Sequence, residues 1–369
     1  MKYASVMAAA ALALSACGGN GDDPSTPTGD DATTPVTETT DEATDESTDD
    51  ETGAATGGET VELNVGIAYD TGGRGDQSFG TAAAAGLDQA MAEFGFEADE
   101  ATAAQGEPDT AREDRLLQLI DAGNDIIVAV GFNYAPAVDA VAPDYPDVKF
   151  ALVDDPFVTG DNIANLVFAE HEGSFLVGAA AALKSSTGNV GFVGGVQTSL
   201  IEKFEAGFVA GVKEVNPDIE PQVVYLTQEP DYSGFGNPEA GQTAAAGMFD
   251  QGADVVYHAA GGSGAGVFNA AKAANTMAIG VDSDQALTAA PDVQDVIITS
   301  MVKRVDVAVY EFLAAAARGE FEAGEHVFDL AADGVGYSTT GGRVDDISAE
   351  LDELKAKIIS GEIEVSPTP

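Results

Sequence analysis

The chain has 369 residues, with 63 Asp+Glu against 15 Lys+Arg and a formal net charge of −48. That length suits two domains or one large one, and 44% hydrophobic residues suffice to bury a core in spite of the charge. So negative a balance, with no basic patch, argues against DNA or RNA as a partner, and a single Cys excludes an internal disulfide framework or a multi-thiolate zinc site.

Residues 1–17 join a basic start at Lys2 to an apolar stretch from Val6 to Leu14, too short to span a bilayer as a mature helix. The stretch closes on Leu14-Ser15-Ala16-Cys17, which resembles the lipobox of bacterial lipoproteins, cut before a Cys whose thiol is then lipidated. A diacylglycerol and an N-acyl chain on Cys17 would supply the two or more chains that stable anchoring needs. The alternative is a plain secretory signal with an incidental Cys. Residues 18–60 hold 13 carboxylates, no Lys or Arg, and only Ala and Val as aliphatic types. Such a stretch cannot offset chain entropy by burial, so it reads as a disordered, self-repelling tether. The part that follows is itself acidic, a composition that fits a saline habitat.

From residue 61 onward strand and helix patterns alternate. A strand at 61–68 precedes an Ala-rich helix at 80–94 and a helix at 110–122. The apolar run 125–130 reads as a parallel strand covered on both faces, followed by a short helix at 136–143 and a buried strand at 148–153. A strand at 163–168 and a helix at 173–183 close the first block. The second runs through strand 190–193, helix 200–215, strand 222–226, helix 238–251, strand 254–258, helix 265–274 and strand 278–281. A strand at 296–300, a helix at 302–317, a short strand near 327–330 and a helix at 348–359 end the chain. Two blocks of about five strands predict an α/β protein of two doubly wound, Rossmann-like lobes with right-handed crossovers.

In open sheets of this kind ligands bind at the carboxyl ends of strands. The first such segment is Gly72-Gly73-Arg74-Gly75-Asp76-Gln77-Ser78-Phe79, whose glycines allow close approach and whose Asp76 and Ser78 either touch a ligand or cap the next helix. Gly131-Phe132-Asn133-Tyr134 follows the second strand. Asp154-Asp155 either faces the cleft or caps a turn before Pro156. Phe204, beyond Gly194-Gly195, belongs to the site or to the core. Gly261-Gly262-Ser263-Gly264-Ala265-Gly266 sits between a strand and a helix, with Asp282 about 20 residues on, as in a dinucleotide fingerprint. Its third Gly falls one place early, which weakens that reading. An Asp at this strand end suits the vicinal hydroxyls of a ribose, or else it pairs with a cation such as Lys303.

No enzyme constellation is visible. His171, His258 and His326 are scattered, there is no nucleophile elbow or P-loop, and Asp282-x-Asp284 lacks the further ligands of a calcium loop. No cofactor, metal or catalytic group is expected. A nucleotide-dependent enzyme on the 261–282 loop would need a catalytic group that the sequence does not offer.

The segments GGRGDQSF, VDD, EGSFLVGAAAALKS, GNVGFVGG, LIEKFEAGFVAGVKEVNPDI, GVDSDQ and ITSMVKRVDVAVY resemble the basic membrane protein family of solute-binding lipoproteins, which includes purine nucleoside receptors of ABC importers. The resemblance spans nearly all of 61–340. It implies a type I periplasmic-binding-protein fold with a three-segment hinge, the lobes being 61–168 with 299–320 and 169–298 with 321–345, and 346–369 a C-terminal helix and tail. It implies crossovers near 167–170, 284–300 and 319–327. It further implies a monomer, lipid-anchored on the extracytoplasmic face, that delivers a nucleoside to a permease and an ATPase. Carried over by position, Asp76 meets the base, Phe204 belongs to the base pocket, Asp282 meets the ribose with Lys303 opposite it, and Gly261 and Gly262 lie beside the sugar. Asn133 is a polar wall residue, and Ser78, Phe79 and Phe132 complete the implied site. The chain departs from the family at Ala82-Ala83-Ala84-Ala85, where an aromatic near position 84 usually stacks on the base, and at Gly80, where an Asn is usual. Phe79, Phe132 or Phe235 could substitute for the lost face, worth about 1 kcal/mol of aromatic contact. A surface receptor for another small solute, without a transporter, is the alternative function.

Overall fold

A computed structural model describes residues 63–369. The signal, Cys17 and the 18–60 tether lie outside them. Among the described residues no helix is long and apolar enough to cross a membrane.

The first strand, β1 (Val65–Tyr69), is buried along its whole length, as is β3 (Ile126–Val130), in keeping with an apolar run covered on both faces. Between them lie α1 (Phe79–Phe94), β2 (Ala98–Thr102) and α2 (Asp109–Asp121). Then come α3 (Ala135–Val141), β4 (Lys149–Val153), β5 (Ile163–Phe168) and α4 (Glu170–Lys184). The second block is β6 (Val190–Gln197), α5 (Ser199–Val215), β7 (Gln222–Gln228), α6 (Pro238–Asp250), β8 (Val255–Ala259), α7 (Gly264–Ala274) and β9 (Met277–Asp282). A single turn, α8 (Gln285–Thr288), leads to β10 (Ile297–Lys303) and α9 (Val305–Ala317). The chain ends with β11 (Gly324–Phe328), β12 (Val335–Tyr337) and α10 (Ser348–Ile359).

Two six-stranded sheets result, ordered β11-β5-β4-β3-β1-β2 and β12-β10-β9-β8-β6-β7. The first is parallel throughout; in the second only β12 runs antiparallel, against β10. Each sheet is thus five local strands plus one returned from the C-terminal region. The β2 strand escapes the sequence pattern because it is a charged edge strand, Ala-Asp-Glu-Ala-Thr, placed by its ladder to β1 rather than by an apolar face.

The chain passes between lobes at Ala169, between β5 and α4, at Arg304, between β10 and α9, and through residues 329–334, between β11 and β12. Helix α9 packs on α1 of the first lobe, and α4 on α5 of the second. The second and third of these passages lie C-terminal to the expected boundaries. Position 298/299, the expected lobe boundary, lies inside β10, which runs on to Lys303 because Met301 and Val302 pair with β9 on one side and Met301–Lys303 pair with the distant β12 on the other. The helix expected from 302 therefore begins at Val305. The boundary expected at 320/321 precedes β11, which pairs with β5 and so belongs to the first sheet. Both corrections have one cause, long-range pairing with strands that the local pattern shows only weakly.

The helix pair α4/α5 is held unusually close. A Cβ at Gly178 would meet the Phe208 carbonyl at 2.2 Å and one at Gly207 the His171 carbonyl at 2.1 Å, so only glycine permits this approach.

Candidate functional site

The carboxyl ends of the strands in both sheets face one another across a cavity of about 550 Å³. Of the residues singled out from the sequence, Asp76, Phe79, Phe132, Asn133, Phe204, Gly261, Gly262, Asp282 and Lys303 all line it. Ser78 does not. It is fully buried, and its hydroxyl donates to Asp282 Oδ2 at 2.6 Å.

Asp76 works first as a helix cap. Its Oδ1 accepts from the Ser78 and Thr81 amides (2.9 and 3.0 Å) and the Thr81 hydroxyl, and its Oδ2 from the Gly80 amide at 2.7 Å. Three donors saturate Oδ1 and one occupies Oδ2, leaving a single lone-pair direction on Oδ2. Gly80, where the family usually carries Asn, lies against the Gly73 carbonyl, which a Cβ would meet at 2.1 Å. Asn133 is oriented by Asp70, to which its Nδ2 donates at 2.6 Å.

Lys303 is placed differently from the expectation that sets it against Asp282. At 2% exposure its Nζ lies 2.7 Å from both oxygens of Asp154 and 3.2 Å from Glu170 Oε1. Glu170 in turn pairs with Lys203 at 3.1 Å. The ammonium is enclosed by the rings of Phe79, Phe168 and Phe204, with centroids 5.1, 4.9 and 5.6 Å away. Burial alone would push the Lys303 pKa down; the carboxylates of Asp154, Glu170 and Asp282 outweigh it and hold the group firmly protonated. Lys303 closes β10, Asp154 follows β4 directly, and Glu170 opens α4, so this alternating network joins both lobes at two of the three crossovers. Phe204 is accordingly core and cavity wall at once: 3% exposed, over the lysine, and facing the cleft.

Two cavity-lining non-glycine residues hold left-handed backbone, Asp154 (φ 72°) and Asp282 (φ 63°), as does Gln77 (φ 61°) beside Ser78. Such conformations cost about 1 kcal/mol or more each and collect at functional sites. Asp282 is 8% exposed, and among the described residues only Ser78 donates to its side chain. Burial pushes its pKa up to about 6, against the pull of Lys303 and Ser78. Its remaining acceptor capacity faces the cavity.

The aromatic near position 84 is absent, and Ala84 itself is buried in the core rather than on the cavity. Instead, Phe79 and Phe204 form one aromatic wall. Phe132 forms another with Phe235 (6.4 Å, edge-on) and Tyr232 (5.9 Å), partners from the opposite lobe. Sequence reasoning missed several lining residues. Arg112 pairs with Asp70 at 2.9 Å and lies over Tyr134; Tyr232 and Asp231 come from the irregular segment after β7. None follows a strand directly, and the only available signal was a lone Arg on the inner side of α2. The acids Asp70, Asp76, Glu107, Asp109, Asp154, Asp231 and Asp282 line the cavity against the cations Arg112 and Lys303, and each cation already holds a carboxylate.

Comparison with known proteins agrees with this geometry. Residues 64–368 match the Bmp family, described as ABC transporter substrate-binding protein PnrA-like. A CD4+ T-cell-stimulating antigen of Listeria monocytogenes is 36% identical over 324 residues, covering 84% of this chain and 89% of its own length. The ABC transporter nucleoside-binding protein BmpA of Lactococcus lactis is 33% identical over 261 residues, covering 66% of this chain and 71% of its own. Among solved structures, an ABC transporter system solute-binding protein from Aeropyrum pernix K1 superposes with a TM-score of 0.71 at 31% identity, over 83% of this chain and 94% of that one. With two mostly parallel α/β lobes, a cleft between them and a family match across the whole described region, this chain belongs to the Bmp family of PnrA-like ABC transporter substrate-binding proteins.

Proposed function

We propose that this protein is the extracytoplasmic receptor of an ABC importer, anchored through Cys17, and that it encloses a nucleoside, a purine nucleoside foremost, for delivery to a permease and its ATPase. The observation that carries the reading is the pairing of aromatic walls with a buried carboxylate whose acceptors are only partly used. Phe79, Phe204, Phe132 and Phe235 suit a flat base. Asp282, beside Gly261 and Gly262, suits the vicinal hydroxyls of a ribose. The Lactococcus relative, named a nucleoside-binding protein, supports the same class. Both cavity cations are committed to carboxylates, so a phosphate group would enter a strongly acidic cleft with no free partner.

Mass spectrometry of small molecules released from the denatured protein is expected to return a nucleoside. In calorimetry, the ribonucleoside should bind at least about tenfold more tightly than its free base, the scale of hydrogen bonds to a charged acceptor, and the nucleoside 5′-monophosphate should not compete. Equal affinity for nucleoside and base would overturn the assignment. The anchor has its own test: Cys17→Ser should accumulate as an unprocessed precursor that takes up no labelled lipid, and normal maturation of that variant would refute it.

A further inference from the structure

We infer that Ser78 is a positioning residue, whose hydroxyl, supplied by the first lobe, aims the Asp282 carboxylate of the second lobe into the cleft, so that the acceptor for the solute's hydroxyls is assembled only as the lobes close. This goes beyond the reading of the cleft as a nucleoside site and depends on it only for the ligand arm of the test below.

The geometry is specific. Ser78 is fully buried and off the cavity wall, so it has no route to a solute. Its Oγ lies 2.6 Å from Asp282 Oδ2 and 3.4 Å from the Val281 carbonyl, which leaves the carboxylate as its main acceptor. The surrounding strips lock the same junction. Ser283 Oγ donates to the Ser78 carbonyl at 2.7 Å, and Gln285 Nε2 and Thr288 Oγ1 both donate to the Gln77 carbonyl at 3.0 Å. Gln285 is held in turn, with its Oε1 accepting from the Val281 amide and its own amide donating to Ser300 Oγ. Gln77 and Asp282, one from each lobe, both hold left-handed backbone, and the Gln77 carbonyl accepts from Gln285 and Thr288 of the second lobe. The bonds of Ser78, of Ser283 Oγ, of Gln285 Nε2 and of Thr288 Oγ1 join one lobe to the other and are lost when the lobes part. The two further Gln285 bonds lie within the second lobe and hold its side of the seam ready. When the lobes part, water replaces the Ser78 hydroxyl and nothing fixes the carboxylate's rotamer. A donor already in place on one oxygen leaves the other pointed at the solute, and the seam lets the protein populate the closed form without any solute bound.

The lone Cys17 makes the test clean. In residues 61–369 a single cysteine placed on the outer surface of each lobe carries a fluorophore pair that reports closure. Ser78→Ala is expected to lower the closed fraction of solute-free protein. It should weaken a ribonucleoside about tenfold or more, the scale of a lost hydrogen bond to a charged group, while changing a 2′,3′-dideoxynucleoside little, because that analogue makes no demand on Asp282. In an Asp282→Asn background the same substitution should have almost no effect on affinity. Equal weakening of both nucleosides, or no change in closure and affinity, would overturn the proposal. If wild-type protein binds neither nucleoside, the nucleoside reading falls and the closed fraction alone decides: a drop supports the seam, no drop refutes it. Ser283→Ala removes only the bond to the Ser78 carbonyl and is expected to shift closure the same way by less; should Ser78→Ala fail to fold, an unchanged closed fraction in Ser283→Ala overturns the proposal.

Discussion

Replacing Lys303 with methionine is expected to destabilise the folded protein by about 3–5 kcal/mol, the cost of leaving a buried charge without its partner. Methionine keeps roughly the volume of the side chain among Phe79, Phe168 and Phe204 while removing the charge that lies over their rings and between the carboxylates, so the loss isolates the ammonium. Asp154 would lose the cation 2.7 Å from its carboxylate, whereas Glu170 would retain Lys203 at 3.1 Å. Asp154 therefore bears most of the penalty. Adding Asp154→Asn to Lys303→Met should recover much of the stability, since a neutral amide does not demand a counter-charge. The measurement is a urea unfolding series in which the midpoint falls at unchanged slope. Unfolding of Lys303→Met at the wild-type midpoint would show that the network contributes nothing. Because Asp154, Glu170 and Lys303 sit on three elements at two crossovers, the same variant should also blur the closed geometry, and solute affinity should fall with stability.

Solute affinity is expected to be flat above neutrality and to fall as pH drops through about 6, approaching tenfold per unit, with Asp282 as the responsible group. Hydroxyl donors require the ionised carboxylate, and in the solute-free protein burial has raised that carboxylate from 3.8 to about 6. The groups acting on it are Lys303 and Ser78, which favour ionisation, and Asp154 and Asp76, which oppose it. Stability of the solute-free protein runs the other way. A folded-state pKa above the unfolded value gives a contribution that is fully present below about 4 and is lost as pH rises through 6, about 3 kcal/mol for this single buried group. Asp282→Asn should abolish both dependences and bind a ribonucleoside weakly at every pH. Calorimetry at several pH values between 4.5 and 8 checks the first, and thermal unfolding over the same range the second. An affinity that does not change across that interval would remove Asp282 from the contact with the solute.

The alternation of continuous apolar runs with amphipathic or Ala-rich segments is a local property, so β1, β3, β4 and the helices between them are legible residue by residue. Strand polarity follows from that alternation, and with it the rule that chemistry gathers after the strands. This is why Asp76, Asn133, Gly261 and Asp282 could be named from the chain alone. Less visible were the edges. The charged strand β2 has no apolar signature, and β11 and β12 are short pieces whose membership in opposite sheets depends on partners about 160 and 35 residues away.

Residue chemistry at single positions was determined by sequence: an acid at 282, a lysine at 303, a serine at 78, aromatic rings at 79, 132 and 204. Which of them touch was decided only by the tertiary structure. Lys303 has three carboxylates within electrostatic reach, and it pairs with Asp154 and Glu170 because β10 runs to its very end in the ladder and delivers the ammonium between β4 and α4. Ser78 could cap its own helix or reach a solute; Asp76 takes the cap, and closure of the lobes brings Asp282 to the freed hydroxyl. Charges and hydroxyls choose partners through space over a few ångströms, and that distance is set by sheet order and lobe closure rather than by spacing along the chain.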